Sequence, residues 1–377
     1  MQTWELVGVG AVSLGAAVMV VATQRWHAAW TGDFEDSGVQ KHHRGSPPRV
    51  GIVPILLAVL VGLYFLGTVA DAEHSGTYNL LLGIVLASVP VVALGLADDL
   101  TKRVPPKVRL AGAAVAAVLG MMLFDNFVTR VNIPGVDTLV QFAPVAVLLT
   151  VLMVAGFTNA MNIVDGLNGL SSGLAVLMLT ATGFVAASVG DAVVVNLCLV
   201  LAVAILGFML LNFPRGLMFL GDGAAYFIGF ALAQIWILLL ARNAEVSTWF
   251  VVAVAAHPTM ETVFSMYRRR IHRNRGGAFT AADRLHLHSL VYRRRMLGML
   301  RRLPWMESWV PNAAASAMLL AFGALPMTAA SLAPQNTAWC VGIVVIYAVG
   351  YLLWFRTLVG FGRLRRAPQP VLATAGV

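Results

Sequence analysis

The sequence has few charged residues and almost no cysteine. Only 11% of its 377 residues are charged, and its two cysteines, Cys198 and Cys340, lie within apolar runs. So little charge excludes an ordinary soluble domain, and we expect the two cysteines to pack against apolar neighbours and to form no disulfide framework. The apolar runs lack period-two alternation, which disfavours a transmembrane barrel. No basic segment precedes the first apolar run, so we expect a retained helix and not a cleaved signal peptide.

Long apolar runs predict an all-α polytopic membrane protein. Apolar residues make up 59% of the chain, and the mean hydropathy is +0.81. A helix that crosses a bilayer needs about 20 apolar residues. The sequence therefore predicts about eleven transmembrane helices, at residues 3–24, 51–69, 78–97, 108–124, 142–161, 167–188, 191–211, 220–241, 247–266, 311–331 and 337–355.

The distribution of basic residues predicts the orientation. If the N-terminus is outside, only Arg130 and Arg242 of the 26 lysines and arginines fall in outside loops. Basic residues collect in cytoplasmic loops, so we expect an outside N-terminus and a cytoplasmic C-terminus. The same bias accounts for the net charge of +9 without nucleic-acid binding. We expect one transmembrane catalytic domain, residues 1–377, whose active-site face is formed by the cytoplasmic loops 25–50, 98–107, 162–166, 212–219 and 267–310.

Four acids lie at the ends of apolar segments, all on the predicted cytoplasmic side: Asp98, Asp99, Asp165 and Asp222. Acids at membrane depth are costly and face polar cavities, so these four predict a divalent-metal site for a phosphorylated substrate. Adjacent helical residues point about 100° apart. One acid of the Asp98-Asp99 pair can thus meet a ligand while the other orients it, and crowding of the acids favours a role in proton transfer.

Asn159, Asn162 and Asp165 recur at intervals of three residues. This spacing places them on one stripe of a helix, where amides can bind a polar ligand and the acid can bind metal or nucleotide. Gly166 and Gly169 then permit a tight turn. The alternative is a cluster of hydrogen bonds between helices.

Asp222 is flanked by glycines at the start of a predicted span, in Phe219-Leu220-Gly221-Asp222-Gly223. Free backbone N–H groups at a helix start attract anions, so this segment fits a metal ligand close to phosphate. The alternative is that Asp222 only caps the helix.

Two basic segments lie on the predicted inside. The first, 41–49, can bind phosphate or anionic lipid. The second contains an arginine run and then Asp283-Arg284-Leu285-His286-Leu287-His288. Its many cations favour diphosphate over zinc, although the positive-inside bias alone can explain the arginines. Glu261, inside a predicted span, needs a partner, for which Arg268 or Arg269 is available.

The order of these motifs resembles the polyprenyl-phosphate N-acetylhexosamine-1-phosphate transferases over residues 40–290 or so. The resemblance implies a bacterial cytoplasmic-membrane enzyme. In that family undecaprenyl phosphate attacks the β-phosphorus of a UDP-N-acetyl sugar at the cytoplasmic face and releases UMP. Magnesium, or manganese in its place, is required. The implied partners are the UDP-sugar, undecaprenyl phosphate, membrane lipids and a second copy of the chain, with no nucleic acid.

The resemblance also implies roles for single residues. Asp98, Asp99, Asp165 and Asp222 are the catalytic acids, with Asp222 and Asp98 as metal ligands. Lys102 contacts phosphate, Phe219 stacks on uracil, and Asn162 with Asp165 positions the nucleotide. His286 and His288 contact the diphosphate or the sugar. The implied substrate-binding set is Lys41, Lys102, Asn159, Asn162, Phe219, Arg284, His286 and His288.

The sequence departs from the family pattern at two places. The family's Pro-x-x-Gly-Gly is here Pro48-Arg49-Val50-Gly51-Ile52, and the histidine that ends the last motif, His288, is followed by Ser289. The Asp-Arg-x-His-x-His form is closer to the branch that initiates O-antigen and teichoic acid than to the phospho-N-acetylmuramoyl-pentapeptide transferases, which stay the alternative.

Two other classes fit less well. A secondary transporter has polar residues at interrupted helices near the midplane, whereas the acids here cluster at one face. A CDP-alcohol phosphotransferase needs Asp-x-x-Asp-Gly-x-x-Ala-Arg, which is absent around Asp165-Gly166.

Overall fold

The computed structural model describes residues 1–32, 46–69, 71–274, 285–303 and 305–364. The regular elements of these residues are helices, which confirms the all-α prediction, and one isolated bridge joins Gly32 to Pro48. The helices are α1 (Thr3–Ala22), α2 (Gln24–Thr31), α3 (Ile52–Gly67), α4 (Ala72–Thr101), α5 (Pro106–Phe124), α6 (Val136–Val140), α7 (Ala143–Ile163), α8 (Leu170–Ser188), α9 (Ala192–Asn212), α10 (Gly221–Arg242), α11 (Thr248–Val254), α12 (Ala256–Asn274), α13 (Leu287–Val291), α14 (Leu297–Arg302), α15 (Val310–Ser331) and α16 (Thr337–Leu364), with a π-helical turn at Tyr292–Met296 between α13 and α14.

Within the described ranges, nine helices are long and apolar enough to cross a membrane: α1, α4, α5, α7, α8, α9, α10, α15 and α16. The other two predicted spans have a different form. Residues 51–69 contain α3, which is apolar but has only 16 residues. Residues 247–266 are divided between α11 and α12, and Pro258 lies in the first turn of α12, where a proline without an N–H is tolerated. The chain is therefore a polytopic helical protein, and the count of eleven and the orientation stay predictions.

Helix α10 is the centre of the fold. Its residues from Gly221 to Leu240 are all buried, and it packs along α4 and α7. A Cβ atom at Gly95 of α4 would lie 2.6 Å from the Cα atom of Gly223. The two helix backbones therefore touch beside the first turn of α10, as small residues allow in membrane proteins.

Two arginines hold the far end of α10. Arg130 donates hydrogen bonds to the carbonyl oxygens of Leu240, Asn243, Ala244 and Val246. Arg242 pairs with the Asp191 carboxylate at 2.8 Å. A cation at a helix C-terminus satisfies carbonyl groups that have no partner within the helix. These two are the arginines that the sequence places in outside loops, so each has a structural reason to lie there.

Candidate active site

Asp99 fixes the start of α10 from a neighbouring helix. Its carboxylate accepts hydrogen bonds from the backbone nitrogens of Asp222 and Gly223, each at 2.9 Å. These N–H groups lie in the first turn of α10 and have no intrahelical acceptor. Gly221 precedes them with φ +78°, and a Cβ there would lie 2.7 Å from Asp99 Oδ2. Asp99 thus acts as the cap, and the alternative in which Asp222 caps its own helix is wrong.

The Asp222 carboxylate is consequently free to meet other groups. Arg49 Nη2 lies 3.1 Å from its Oδ1, and Arg109 Nη1 contacts its Oδ2. The Asn162 side chain donates to the same Oδ2 at 3.3 Å and to the Tyr226 hydroxyl at 3.0 Å. Asp222 is only 6% exposed, so two cations and an amide enclose a carboxylate that water scarcely reaches.

Asp98 points to the same arginine. Its Oδ2 lies 3.0 Å from Arg109 Nη1, and its Oδ1 accepts a hydrogen bond from Val104 N at 2.9 Å. One guanidinium nitrogen of Arg109 therefore stands between the carboxylates of Asp98 and Asp222. The neighbouring Asp99 faces α10, as the 100° rotation between adjacent helical residues predicts.

Lys102 ends α4 in a left-handed conformation, with φ 55°. Its ammonium group donates to the Asp99 carbonyl oxygen at 2.8 Å, which places a cation at the C-terminus of the helix that carries both acids. Lys102 thus lies beside the predicted site. Its contact with phosphate stays a prediction.

Asp165 lies beyond the end of α7. The helix stops at Ile163, so the prediction that Asn159, Asn162 and Asp165 share one helical stripe is wrong for Asp165. That residue lies in the following turn, which takes it off the helix surface. Asn162 reaches Asp222, whereas Asn159 lies one turn earlier on α7 and is half-buried.

The surroundings of Asp165 disfavour its charged form. Removal of water from around the carboxyl group raises its pKa to about 7, although part of the residue surface stays accessible. The positive charge of Arg49 lowers this pKa, and the negative charges of Asp222 and Asp99 raise it further. Asp165 therefore shares one electrostatic environment with the acids around α10.

The two predicted histidines meet a buried acid. His286 Nδ1 lies 3.1 Å from Glu261 Oε2, and His288 Nδ1 lies 3.9 Å from Glu261 Oε1. The His288 ring packs directly on Gly166, where a Cβ atom would overlap His288 Nε2. Glu261 is thus in contact with both histidines, and Arg268, which the sequence suggested as its partner, lies over the ring of Phe264 at 4.6 Å.

The other predicted site residues are Phe219, Lys41 and Arg284. Phe219 is half-buried in the loop before α10, and its backbone nitrogen donates to the Pro48 carbonyl oxygen at 2.9 Å. Lys41 and Arg284 lie outside the described residues, so their predicted contacts stay predictions.

Buried amides hold the loops that carry Asp165 and Phe219. Asn212 Oδ1 accepts a hydrogen bond from Gly169 N at 2.7 Å, and its Nδ2 donates to Met218 O at 2.8 Å. Asn168 Nδ2 donates to Pro214 O at 3.1 Å. These bonds join the turn after α7 to the segment before α10, which brings the two motifs to one place.

Four residues at this place are absent from the predicted site: Arg49, Arg109, Tyr226 and Glu261. Arg109 and Glu261 carried a usable signal, because a charged residue inside an apolar segment requires a partner of opposite charge. Arg49 had only its place in a basic segment. Tyr226 had no signal in the sequence, because its hydroxyl group reaches Asn162 only through helix packing.

The donor set suits a magnesium ion completed by substrate. Among the described residues no group of three or more acidic, histidine or cysteine side chains is arranged to hold a metal. Magnesium, however, is commonly held by one or two carboxylates together with substrate phosphates and water. Asp98 and Asp222 converge on one cation, Arg109 Nη1. These two carboxylates fit that mode of binding.

The fold and the site define a class of protein. It is a polytopic helical membrane protein in which three carboxylates and two guanidinium groups meet at one end of a buried helix, an arrangement suited to phosphorylated substrates. Residues 81–240 match the model of glycosyl transferase family 4. This segment, which runs from α4 to α10, is therefore similar to that family.

Curated relatives extend the similarity. A Bacillus subtilis protein described as a probable undecaprenyl-phosphate N-acetylglucosaminyl 1-phosphate transferase is 28% identical over 74% of this chain and 74% of its own length. A phospho-N-acetylmuramoyl-pentapeptide-transferase of Listeria monocytogenes is 29% identical over 55% of this chain and 68% of its own. The corresponding protein of Anoxybacillus flavithermus is 30% identical over 54% and 65%.

Proposed function

We propose that the protein transfers an N-acetylhexosamine-1-phosphate from a UDP-sugar to undecaprenyl phosphate, with release of UMP. The observation that carries the proposal is the meeting of Asp98, Asp99 and Asp222 with Arg49 and Arg109 at the start of α10. The product, undecaprenyl-diphospho-N-acetylhexosamine, would begin a cell-surface polysaccharide such as O-antigen or teichoic acid.

Asp222 and Asp98 would hold Mg²⁺, or Mn²⁺ in its place. The bound ion would neutralise charge on the diphosphate of the donor. Asp99 serves this pair indirectly, because its two hydrogen bonds to the first turn of α10 fix the backbone from which Asp222 projects.

The chain's own cations take the other phosphate oxygens. A phosphate monoester is already an anionic nucleophile, so the reaction needs alignment and charge neutralisation more than a strong base. Arg49, Arg109 and Lys102 lie beside the acids and can bind phosphate as ion pairs. Lys41 and Arg284 join this set in the proposal.

The nucleotide and the sugar phosphate would lie on the side of Asp165. Asn162 already donates to Asp222 and Tyr226, so its amide sits between the proposed metal ligand and the turn that carries Asp165. We assign nucleotide positioning to Asn159, Asn162 and Asp165, uracil stacking to Phe219, and contact with the diphosphate or sugar to His286 and His288.

The proposed setting is the cytoplasmic membrane of a bacterium. We take all eleven predicted segments as spans, with the N-terminus outside and the C-terminus in the cytoplasm, because this arrangement leaves only Arg130 and Arg242 outside. The start of α10 then faces the cytoplasm, and the whole chain acts as one catalytic domain in contact with membrane lipids. A homodimer is part of the proposal.

A panel of donors tests the reaction. Purified protein in lipid nanodiscs is mixed with Mg²⁺, undecaprenyl phosphate and UDP-N-acetylglucosamine, UDP-N-acetylgalactosamine or UDP-N-acetylmuramoyl-pentapeptide, and UMP is measured. We expect release with an N-acetylhexosamine donor, first of all N-acetylglucosamine, and loss of release with EDTA. Release with the pentapeptide donor alone would assign the protein to the other branch. No release with any donor would refute the proposed function.

A further inference from the structure

Glu261 lies on α12 and is completely buried. Both of its carboxylate oxygens are engaged by residues 25 and 27 positions later in the chain. Oε2 lies 3.1 Å from His286 Nδ1, and Oε1 lies 3.4 Å from the backbone nitrogen of His288 and 3.9 Å from its Nδ1. A buried carboxylate is tolerated only where such partners surround it, so the two histidines and Glu261 form one unit, which we call the Glu–His–His cluster.

The cluster presents the two rings in one direction. The rings of His286 and His288 are nearly parallel, with an interplanar angle of 5° and centroids 5.3 Å apart. Because the Nδ1 atoms face Glu261, the Nε2 atoms lie on the opposite side of the rings. His288 Nε2 points at Gly166, the residue after Asp165. The Nε2 side of the rings is therefore directed at the turn that joins α7 to α8, beside the acids of the candidate active site.

We propose that Glu261 is the positioning residue for His286 and His288. It accepts hydrogen bonds from the Nδ1–H group of His286 and from the backbone N–H group of His288, and so fixes both rings beside the turn that carries Asp165 and Gly166, where the phosphate or sugar of the donor would bind. A carboxylate behind an imidazole acts in this way in metal and catalytic sites, where it sets the tautomer and the basicity of the ring. Glu261 itself touches no substrate. This inference rests on the proposed function for the identity of the donor.

Other ionisable groups also lie around Glu261. His257, one turn earlier on α12, lies 2.6 Å from the Tyr347 hydroxyl of α16. Tyr351 of α16 lies close to both Glu261 and Arg268, and Arg268 is placed over the rings of Phe264 and Phe355. His286 and His288 are in direct ion-pair contact with Glu261.

The first experiment uses two substitutions of the same residue. Glu261→Gln keeps the size of the side chain but removes its charge. One of the two oxygens that accept hydrogen bonds from residues 286 and 288 is replaced by an NH₂ group, which can only donate. We expect kcat/KM for the UDP-sugar to fall by roughly 10–100-fold, the range for carboxylates that orient a site histidine. Loss of the negative charge disfavours positive charge in the cluster, so the limb of the pH–rate profile that depends on the cluster moves to lower pH.

Glu261→Asp keeps the charge and withdraws it by one methylene group. We expect it to keep the pH profile of wild type with a kcat/KM between those of wild type and Glu261→Gln. If Glu261→Gln does not fold, Glu261→Asp decides alone, and a wild-type kcat/KM in that variant overturns the proposal. The matched control is Glu245→Gln, which alters an exposed residue and is expected to leave both kcat/KM and pH profile unchanged.

A spectroscopic readout is independent of turnover. Protein labelled with ¹⁵N-histidine in nanodiscs shows which ring nitrogen carries the proton, and His286→Gln and His288→Gln assign the two signals. We expect the Nδ1–H form for His286 in wild type and a shift of this ring towards Nε2–H in folded Glu261→Gln. Unchanged signals together with an unchanged pH profile overturn the positioning role. If wild type releases no UMP from any donor, the proposed function fails while this spectrum still tests Glu261.

Discussion

The Asp99 carboxylate of α4 receives the backbone N–H groups of Asp222 and Gly223, each at 2.9 Å. A side chain that caps a helix from another helix fixes both the position and the rotation of that helix. Here it fixes the first turn of α10, from which Asp222 projects towards Arg49 and Arg109. The adjacent acids in the Asp-Asp motif thus have different tasks, because Asp99 shapes the backbone and Asp98 faces the cation.

The first prediction concerns this cap. Asp99→Asn keeps one oxygen that can accept a hydrogen bond, but its NH₂ group then faces the backbone N–H group of Asp222 or Gly223. That buried N–H group loses its acceptor. We expect a loss of roughly 1–2 kcal/mol of stability, the usual cost of removing a cap, together with a large drop in UMP release. Thermal unfolding in nanodiscs and the UMP assay measure the two effects. Asp125→Asn is the control, because Asp125 is exposed and its left-handed conformation suits asparagine. An unchanged melting temperature in Asp99→Asn would contradict the capping role.

The second prediction concerns the proposed metal ligand. Asp222→Asn should lower turnover by about a hundredfold or more, because a neutral amide supplies neither the charge nor the ligand strength of a carboxylate. The fold should survive, since Arg109 keeps Asp98 at 3.0 Å and Arg49 keeps Asp99 at 3.6 Å. UMP release is measured beside thermal unfolding, with Asp125→Asn again as the reference. Near-normal turnover in Asp222→Asn would remove this residue from the metal role.

The third prediction is a pH dependence of stability. The pKa of Asp165 is raised from 3.8 to about 7, so the folded protein binds one more proton than the unfolded chain between these values. The stability that this group confers is complete below pH 3.8, declines as the pH rises to about 7, and is constant above. Asp165→Asn cannot ionise. The melting temperature of this variant relative to wild type should therefore increase from pH 5 to pH 8.

Thermal unfolding at several pH values checks this difference. The control variant Asp125→Asn, which replaces an exposed acid, is measured at the same pH values. UMP release by Asp165→Asn should fall steeply if the residue positions the nucleotide. A melting difference that does not vary between pH 5 and pH 8 would show that Asp165 ionises as it does in the unfolded chain.

The sequence revealed the parts of the site that depend on local pattern. Apolar runs end where the chain meets water, so the acids at those ends, Asp98 and Asp222, could be found without a structure. The end of α7 at Ile163 was missed because a polar stripe continues to Asp165 in sequence although the helix does not continue in space. The bridge from Arg109 to Asp98 and Asp222 joins three helices. Such a contact depends on tertiary packing and has no signal in residue spacing.

The fourth prediction concerns the end of α10 opposite the site. Arg130→Gln removes a guanidinium that donates to the carbonyl oxygens of Leu240, Asn243, Ala244 and Val246. Hydrogen bonds from a charged donor contribute about 1.5–3 kcal/mol, so we expect a loss of about 2 kcal/mol or more.

Turnover of the folded Arg130→Gln fraction should stay close to that of wild type, because the change lies at the other end of a 22-residue helix. The control is Arg25→Gln, at an arginine that is exposed and contacts the Trp26 ring; its melting temperature should move little. Thermal unfolding and UMP release, measured on the same nanodisc preparation, separate stability from catalysis. A large loss of kcat with an unchanged melting temperature would mean that the two ends of α10 are coupled in function, and that Arg130 does more than cap the helix.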